Sequence, residues 1–503
     1  MNSATARAEN HAPPRGRGRL STYLIFAAAF ACIVFFSHWG LLDMPYFWDE
    51  VGHFIPAAWD AYHHGAAVPR SAVPNVHPPA VMFYLAAWWH VLGPSEYVTR
   101  CAMLVLASLT LLAAFLLAIE LCGSIPGVPA LLAVFLLAAS PLFYTQALLA
   151  QLDLPATLFT ALALYYFLTE RHFRAAAACT LLVLAKETGA AVPLVLGVWL
   201  MAEKRWRRGL AYGVPLAALG LWLLVLRSET GHWLGDAGFA RYNLTEALTP
   251  VRAGAGLLRR IWFLFFDNLH VIGTAAILAG LLAGYFNRRR WKAAAAVFCA
   301  HVLLVTFTGG AHLERYLLPV LPLFYTAVAA GLYAWRPGLR WAGFAILLAG
   351  LVAGLFLNSR FVPFPYENNL AMADFTALHW RAASYIESTA QGRTVATAWP
   401  LSAVLARPDL GYVVRPQKVA AMRDFSAAEF ARIETMGVDI FVRFSRDWQP
   451  PADIYRFARV RAFARQYLGY AEPIPPEAIE QRLGLKLERS WSARGQWIEI
   501  YTR

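Results

Sequence analysis

Hydrophobic positions in this chain form long unbroken runs rather than the stripes of a soluble helix or the alternation of a half-buried strand. A bilayer-spanning helix needs roughly 20 apolar residues. Eleven runs approach or exceed that length: 20–42, 96–121, 127–147, 152–169, 174–187, 189–203, 209–228, 266–286, 292–309, 314–335 and 339–357. The fifth and sixth are short and meet near Lys186–Gly189, so the pattern is compatible with ten to twelve spans. Between the first two runs lies Asp43 to Gly93, a loop of about fifty residues and longer than a plain connection needs. Within it, Phe54–His63 and Pro79–Val91 predict helices that lie on the membrane surface, parted by Pro74, Pro78 and Pro79. The segment 229–265 is similar in kind, with Trp233, Tyr242, Trp262 and the pair Arg259–Arg260.

From Asn358 onward the runs shorten and charges of both signs mix. Helices are expected over Asn368–Thr389, Ala427–Thr435 and Asp453–Arg465, and strands over Arg393–Trp399, Val438–Phe444, Lys486–Trp491 and Gln496–Tyr501. The expected organisation is a tail at 1–19, a membrane domain at 20–357 and a small α/β domain at 358–503. The fold class is mainly α: a polytopic membrane helical bundle of about eleven transmembrane helices, with interfacial helices and that C-terminal domain.

Composition agrees with this and excludes other classes. At 59% apolar and 15% charged, the chain falls outside the range of soluble globular proteins. A net charge of +13 would suit nucleic acid, but the basic residues sit in short clusters between apolar runs and no nucleic-acid module accompanies them. All five cysteines fall in or beside apolar runs, which argues against a disulfide framework or a thiolate metal site. The first run is long for a secretory signal and lacks a small-residue cleavage site, so it reads as an uncleaved anchor. With eleven spans, the clusters Arg15/Arg17/Arg19, Arg171/Arg174, Lys204–Arg208, Arg288–Lys292 and Arg336/Arg340 all fall on one side. By the positive-inside rule the N-terminus is then cytoplasmic, and the 43–93 loop, the 229–265 loop and the C-terminal domain are extracytoplasmic.

The long loop carries the densest chemistry. Asp49 and Glu50 follow the first span directly, and His53, His63, His64, His77 and His90 come after them among interleaved aromatics. Carboxylates at a membrane boundary suit a general base or a metal ligand. Later charges beside apolar runs are Asp153, Lys186, Glu187 and Arg315. Each also has a structural reading. Lys186 and Glu187 could pair internally, Arg315 could snorkel to the interface beside Glu314, and Asp153 could cap its helix. His63, His64 and His90 read as interface residues, and His312 as a packing residue near the cavity.

The order of these motifs resembles a known group. A DE pair after the first span, a HisProPro at 77–79 before an interfacial helix, SPLFYTQALLAQLDLPATLF with Asp153, LAKETG with Lys186–Glu187, and HLERYLLPVLP with Arg315–Tyr316 look like polyprenyl-phosphate-dependent glycosyltransferases of the GT-C fold. The branch resembled is the protein O-mannosyltransferase-like group, with aminoarabinose transferases and rhizobial galacturonosyltransferases, over roughly residues 20–360. The resemblance implies that Asp49 activates or orients the acceptor, that Glu50 supports it or helps bind a divalent cation, and that Asp153 lines the same cavity. Lys186, Arg315 and Tyr316 would hold the donor phosphate. His77 stands where some relatives carry lysine, and a neutral histidine binds metal rather than phosphate charge, so it is expected as a substrate or metal contact; His312, nearer the cavity, is the second candidate for such a contact.

The expected activity is transfer of a sugar from a polyprenyl-phosphate donor to an extracytoplasmic lipid, polysaccharide or protein acceptor. The enzyme would sit in the inner or plasma membrane among membrane lipids, with no nucleic acid as partner. The rival reading is a lipid or sugar transporter, but transporters place ionisable residues near the midplane and show pseudo-symmetric halves. Reporter fusions at Asn287 and Arg503 test the topology. The eleven-span arrangement expects opposite sides, and finding both on one side removes it.

Overall fold

The computed structural model of the protein describes residues 17–503 except 124, 246–247, 309, 360–362, 449–456, 469 and 471. Arg15 and the first part of the helix expected over Asp453–Arg465 lie outside the described residues.

Every apolar run forms helix, but not always one long helix. Among the described residues, six helices are long and apolar enough to cross a membrane: Ser21–Leu41, Glu96–Cys122, Trp206–Thr230, Arg289–Phe307, Glu314–Leu332 and Pro337–Gly354. Two bent pairs raise the number to eight: Ala130–Ala139 with Pro141–Leu148, bent by 68°, and Pro250–Phe265 with Asp267–Leu282, bent by 45°. Asp153–Leu168, His172–Ala185 and Glu187–Ala202 are shorter apolar helices. The chain is therefore a mainly helical multi-pass membrane protein with six to eight helices of spanning length among the described residues, and the count of eleven is not reproduced there.

The interruptions have local causes. Pro141 cannot donate to a helical ladder and restricts the residue before it, so Ser140 is extended (ψ 125°) and the third run breaks there. At Lys186 the backbone is extended too (φ −155°, ψ 127°), which ends His172–Ala185 and turns the lysine toward charged partners described below.

Glu96–Cys122 is central. It packs against Arg17–His38, Asp153–Leu168, Ala130–Ala139 and Leu321–Leu332. Leu321–Leu332 in turn crosses His270–Leu282 so closely that a Cβ on Gly331 would lie 2.2 Å from the Ala276 carbonyl oxygen. Only glycine permits that approach.

Both interfacial helices of the long loop form, as Ile55–His64 and Ala80–Leu92, and they pack on each other. His63 stacks on Trp59 (5.1 Å between centroids), and His90 lies tilted against Tyr62 (4.4 Å). The two large loops touch where Asn75 bridges Gly235. Gly235 has φ +78°, and a Cβ there would lie 2.5 Å from the Pro74 carbonyl oxygen, so this junction requires glycine.

Past the last long helix, five strands among the described residues form one mixed sheet in the order β2-β1-β3-β5-β4. They are β1 (Thr394–Ala398), β2 (Lys418–Met422), β3 (Ile440–Phe444), β4 (Lys486–Ala493) and β5 (Gln496–Thr502). β1 runs parallel to β2 and β3, and β5 runs antiparallel to β3 and β4. The long helix Ala371–Thr389 packs on β4 and β5. The sequence pattern missed β2, whose half-exposed KVAAM lacks an alternating signature, and the short helices Leu401–Ala406 and Pro476–Leu483. The described part of the 453–465 segment holds helix Ala458–Phe463.

Gly331→Leu is expected to destabilise the bundle by about 1–3 kcal/mol or more, since the side chain has no space without parting two helices. Thermal denaturation of the detergent-solubilised protein should show the loss.

Candidate active site

Asp49 and Glu50 are adjacent but face different surroundings. The chain leaves the first helix through Trp48, which has φ +44°, and enters a wide π-helical turn at Glu50–Phe54. A bulky residue in that backbone region is strained, and such strain collects at functional sites. Asp49 lines a cavity of about 1430 Å³. Glu50 does not: it is fully buried and pairs through both oxygens with Arg100, one of the bonds (Oε2 to Nη2) being 2.9 Å. It also accepts the Phe47 and Ala150 backbone N–H groups at 2.7 and 2.6 Å. Arg100 is completed by the carbonyls of Met44, Pro45 and Leu148. Glu50 thus stands apart from the other expected site residues, and all its oxygens are committed to the protein.

Asp49, Asp153, Lys186, Arg315, Tyr316 and His77 converge on the one cavity. Arg315, at the start of Glu314–Leu332, is the hub. Its Nη2 pairs with Asp49, its Nη1 donates to Glu367 Oε2 at 2.8 Å, and its Nε lies 3.5 Å from Asp153 Oδ2. Lys186 Nζ donates to Asp153 Oδ1 at 2.5 Å and sits 4.5 Å from the centre of the Tyr316 ring. His77 Nδ1 is 2.8 Å from Glu187 Oε2.

These pairings replace the structural alternatives. Lys186 is bound to Asp153 rather than to Glu187, and Glu187 is bound to His77. Arg315 is buried and carries three carboxylate partners, while Glu314 pairs with Arg259. Asp153 makes no capping bond, and its carboxylate serves the two cations. His312 also lines the cavity, but it rests on Pro250–Phe265, where Gly256 leaves room for its ring. Its Nε2 has no partner among the described residues. Burial, together with Arg260, Arg259 and Arg252, pushes His312 down to about 4, so it is neutral at pH 7.

Glu367 is the residue that the sequence pattern did not single out. It lies in Tyr366–Asn368, beyond the last long helix, and is 2% exposed. Besides Arg315 it accepts Gln151 Nε2 at 3.2 Å. A lone glutamate in PFPYENN looks like any loop residue, and no local signal marks it. Arg100 did carry a signal, because a cation one turn inside an apolar run demands a partner.

The two carboxyls that flank Arg315 from outside the spans differ. Burial raises Asp49, but Arg315 and His53 more than offset it and hold Asp49 below the usual carboxylate range. Burial, with Asp49 and Asp153 adding to it, raises Glu367 to about 7 against the pull of Arg315 and the Gln151 hydrogen bond.

A divalent cation finds no suitable donor set here. Glu50 faces Arg100, Asp49 faces Arg315 and His77 faces Glu187, so the expected ligands diverge. Among the described residues no three His, Cys, Asp or Glu side chains gather as metal ligands.

The cavity has walls of two kinds. Leu258, Ile261, Trp262, Phe266, Leu304 and Val305 give an apolar side, while Trp399, Arg446 and Asp447 reach it from the C-terminal region. Trp48 packs edge-on against Trp399 (4.8 Å) and Phe375 (5.5 Å), with Arg446 5.7 Å from its ring centre.

Residues 76–233, less than half of the chain, match the family model described as dolichyl-phosphate-mannose-protein mannosyltransferase. No curated protein matches the sequence. Among solved structures, the fold is similar to that of ArnT from Cupriavidus metallidurans bound to undecaprenyl phosphate, with a TM-score of 0.54 and 14% identity over 96% of this chain and 98% of that one. It is also similar to the oligosaccharyltransferase AglB from Archaeoglobus fulgidus in complex with an inhibitory peptide and a dolichol-phosphate, with a TM-score of 0.50 and 13% identity over 96% of this chain and 74% of that one. The fold is thus the GT-C architecture implied by the sequence motifs.

Glu50→Gln removes the charge opposite a buried guanidinium, and breaking such a pair typically costs about 3–5 kcal/mol. The variant is expected to lose thermal stability, whereas Asp49→Asn, at the cavity edge, should lose much less. Parallel melting curves compare the two.

Proposed function

We propose that this protein is a membrane glycosyltransferase that takes a sugar from a polyprenyl-phosphate donor and passes it to an acceptor outside the cytoplasm. The observation that carries this reading is the single cavity in which an apolar wall meets Asp49, Asp153, Lys186 and Arg315. A lipid-linked sugar phosphate has the matching three parts: an apolar tail, a phosphate and a polar ring. Relatives in fold support it, since ArnT has been captured with undecaprenyl phosphate and AglB with a peptide and a dolichol-phosphate. The matches give no support to a transporter.

In this reading the tail lies along Pro250–Phe265 and Arg289–Phe307, and Lys186 and Arg315 hold the phosphate. A guanidinium offers phosphate a planar fork, and an ammonium adds a point charge. Tyr316 keeps both cations in place, its ring centre lying 4.5 Å from Lys186 Nζ and 5.6 Å from the Arg315 guanidinium carbon. Asp49 is ionised at neutral pH and stands at the cavity edge, where it can take the proton of an acceptor hydroxyl or orient a phosphate acceptor. Asp153 positions the two cations. His77, tied to Glu187, lines the donor end of the cavity, and Glu50 holds the Asp49 turn from behind. The active side is extracytoplasmic, with the N-terminus in the cytoplasm and the C-terminal domain over the cavity toward the acceptor.

The test is transfer from a defined polyprenyl-phosphate sugar by purified protein, together with a comparison of envelope glycans and lipid-linked sugars between wild type and a deletion strain. Accumulation of a lipid-linked sugar in the deletion strain is expected, and identical profiles would contradict the assignment. Asp49→Asn should insert and bind donor normally yet lose transfer by about 10²-fold or more, the lower range for a positioned general base. Arg315→Lys keeps a charge but not the fork, and should raise the donor concentration for half-maximal rate by about tenfold or more, the worth of a charged hydrogen bond. Near-normal turnover by Asp49→Asn would remove the role given to the loop.

A further inference from the structure

Two cations, Arg315 and Lys186, face three carboxylates, Asp49, Asp153 and Glu367, all largely withdrawn from water. An unbalanced negative charge in such a place is costly, and a proton on one carboxyl relieves it. The contacts single out Glu367 for that proton. Asp153 has a cation on each oxygen, and Asp49 has the end of the Arg315 fork. Glu367 has Arg315 and Gln151 on Oε2, while its Oε1 is buried with no hydrogen-bond partner among the described residues. Other ionisable groups around the cluster are Tyr316 beside Arg315, His53 beside Asp49, the His77–Glu187 pair, His301 beside Lys186 and Asp153, Arg252, Arg259 and His312 on the apolar-wall side of the cavity, and Tyr366, Arg446 and Asp447 on its C-terminal side.

We propose that Glu367 gates the donor site by carrying a proton: the lipid phosphate seats against Arg315 and Lys186 when Glu367 is protonated and is repelled when it is ionised. This rests on the reading of those two cations as the phosphate site. A phosphodiester brings one negative charge. Beside an ionised Glu367 it would make four negative charges against two positive. Beside a protonated Glu367 it makes three against two, the imbalance the cluster already has without phosphate when Glu367 is ionised. Protonation also loosens the hold of Glu367 on Arg315 Nη1 and supplies an O–H donor that a phosphate oxygen can accept. Where Glu367 is ionised before binding, one proton thus moves from solvent to it when the phosphate arrives, and returns when the lipid phosphate leaves.

The sign follows from the raised carboxyl, which titrates at about 7. Below that pH Glu367 is neutral and the site is competent; above it the competent fraction falls about tenfold for each further pH unit. The probe is a short prenyl methyl phosphodiester, which keeps a single charge from pH 6 to pH 8, titrated calorimetrically into the intact protein in buffers of different ionisation enthalpy. The dissociation constant should be about tenfold weaker at pH 8 than at pH 6, with uptake of about one proton per ligand at pH 8 and almost none at pH 6. Glu367→Gln should bind with no pH dependence and no uptake, while Glu367→Asp should keep both. Gln151→Ala removes a hydrogen bond that favours the ionised form, so it should move the midpoint upward without touching Arg315.

Binding that weakens in Arg315→Lys yet shows no pH dependence in the wild type overturns the gate and leaves the donor site standing. A pH dependence unmoved by both Glu367→Gln and Gln151→Ala also overturns it. No binding at either pH, or binding indifferent to Arg315→Lys, removes the donor site and the gate together.

Discussion

One guanidinium holds the polar centre of this membrane protein together. Arg315 joins Asp49 from the loop after the first helix, Asp153 from the start of a short helix, and Glu367 from beyond the last long helix. These lie far apart in sequence, so the bundle has to be assembled before the three can meet. A planar fork hydrogen-bonds Glu367 and Asp49 through its two Nη groups and keeps its Nε 3.5 Å from Asp153, a spread that an ammonium cannot offer with the same geometry. The arrangement also explains why helices stop where they do. The extended backbone at Lys186 interrupts an apolar stretch that would otherwise continue, and delivers the second cation to Asp153. Continuous helix has been traded for a charged centre. Such breaks are tolerated at membrane depth where they are enclosed in protein or line a cavity.

Asp49 and Glu50 illustrate how neighbours in sequence acquire different chemistry. A tight turn directs one carboxylate to the cavity and the other to Arg100. Both are paired with arginine. Asp49 is partly exposed on an accessible wall, whereas Glu50 is surrounded by two backbone N–H groups and a guanidinium with no room for a substrate. Access, rather than charge, separates a group that can react from one that can only hold.

Much of this was legible in the residues. The apolar runs gave the helices, the proline-parted loop gave its two surface helices, and the ordered charges at Asp49, Asp153, Lys186 and Arg315 proved to meet at one cavity. The number of spanning helices was less accessible, because run length registers apolar content and not the bends at Ser140–Pro141 and Phe266. Partners were the least accessible. Lys186 sits beside Glu187 in sequence but reaches back to Asp153, and Arg315 sits beside Glu314 but turns to other carboxylates. Adjacency along a chain is a poor guide to pairing when low dielectric rewards the best-placed partner. Glu367 escaped notice because its importance lies wholly in what folds against it.

The backbone at Trp48 carries a further consequence for engineering. Its left-handed conformation costs of order 1–3 kcal/mol and persists only while its surroundings enforce it. Those surroundings belong to the far end of the chain: Phe375, Trp399 and Arg446 clasp the indole, and the Tyr412 hydroxyl donates to the Tyr46 carbonyl at 2.8 Å. The C-terminal region is therefore a splint for the turn that presents Asp49, as well as a wall of its cavity. A chimera that grafts a foreign C-terminal domain onto this bundle must bring its own clasp for the indole. Without one, the turn is free to relax and the carboxylate moves with it, however well the graft recognises its new acceptor.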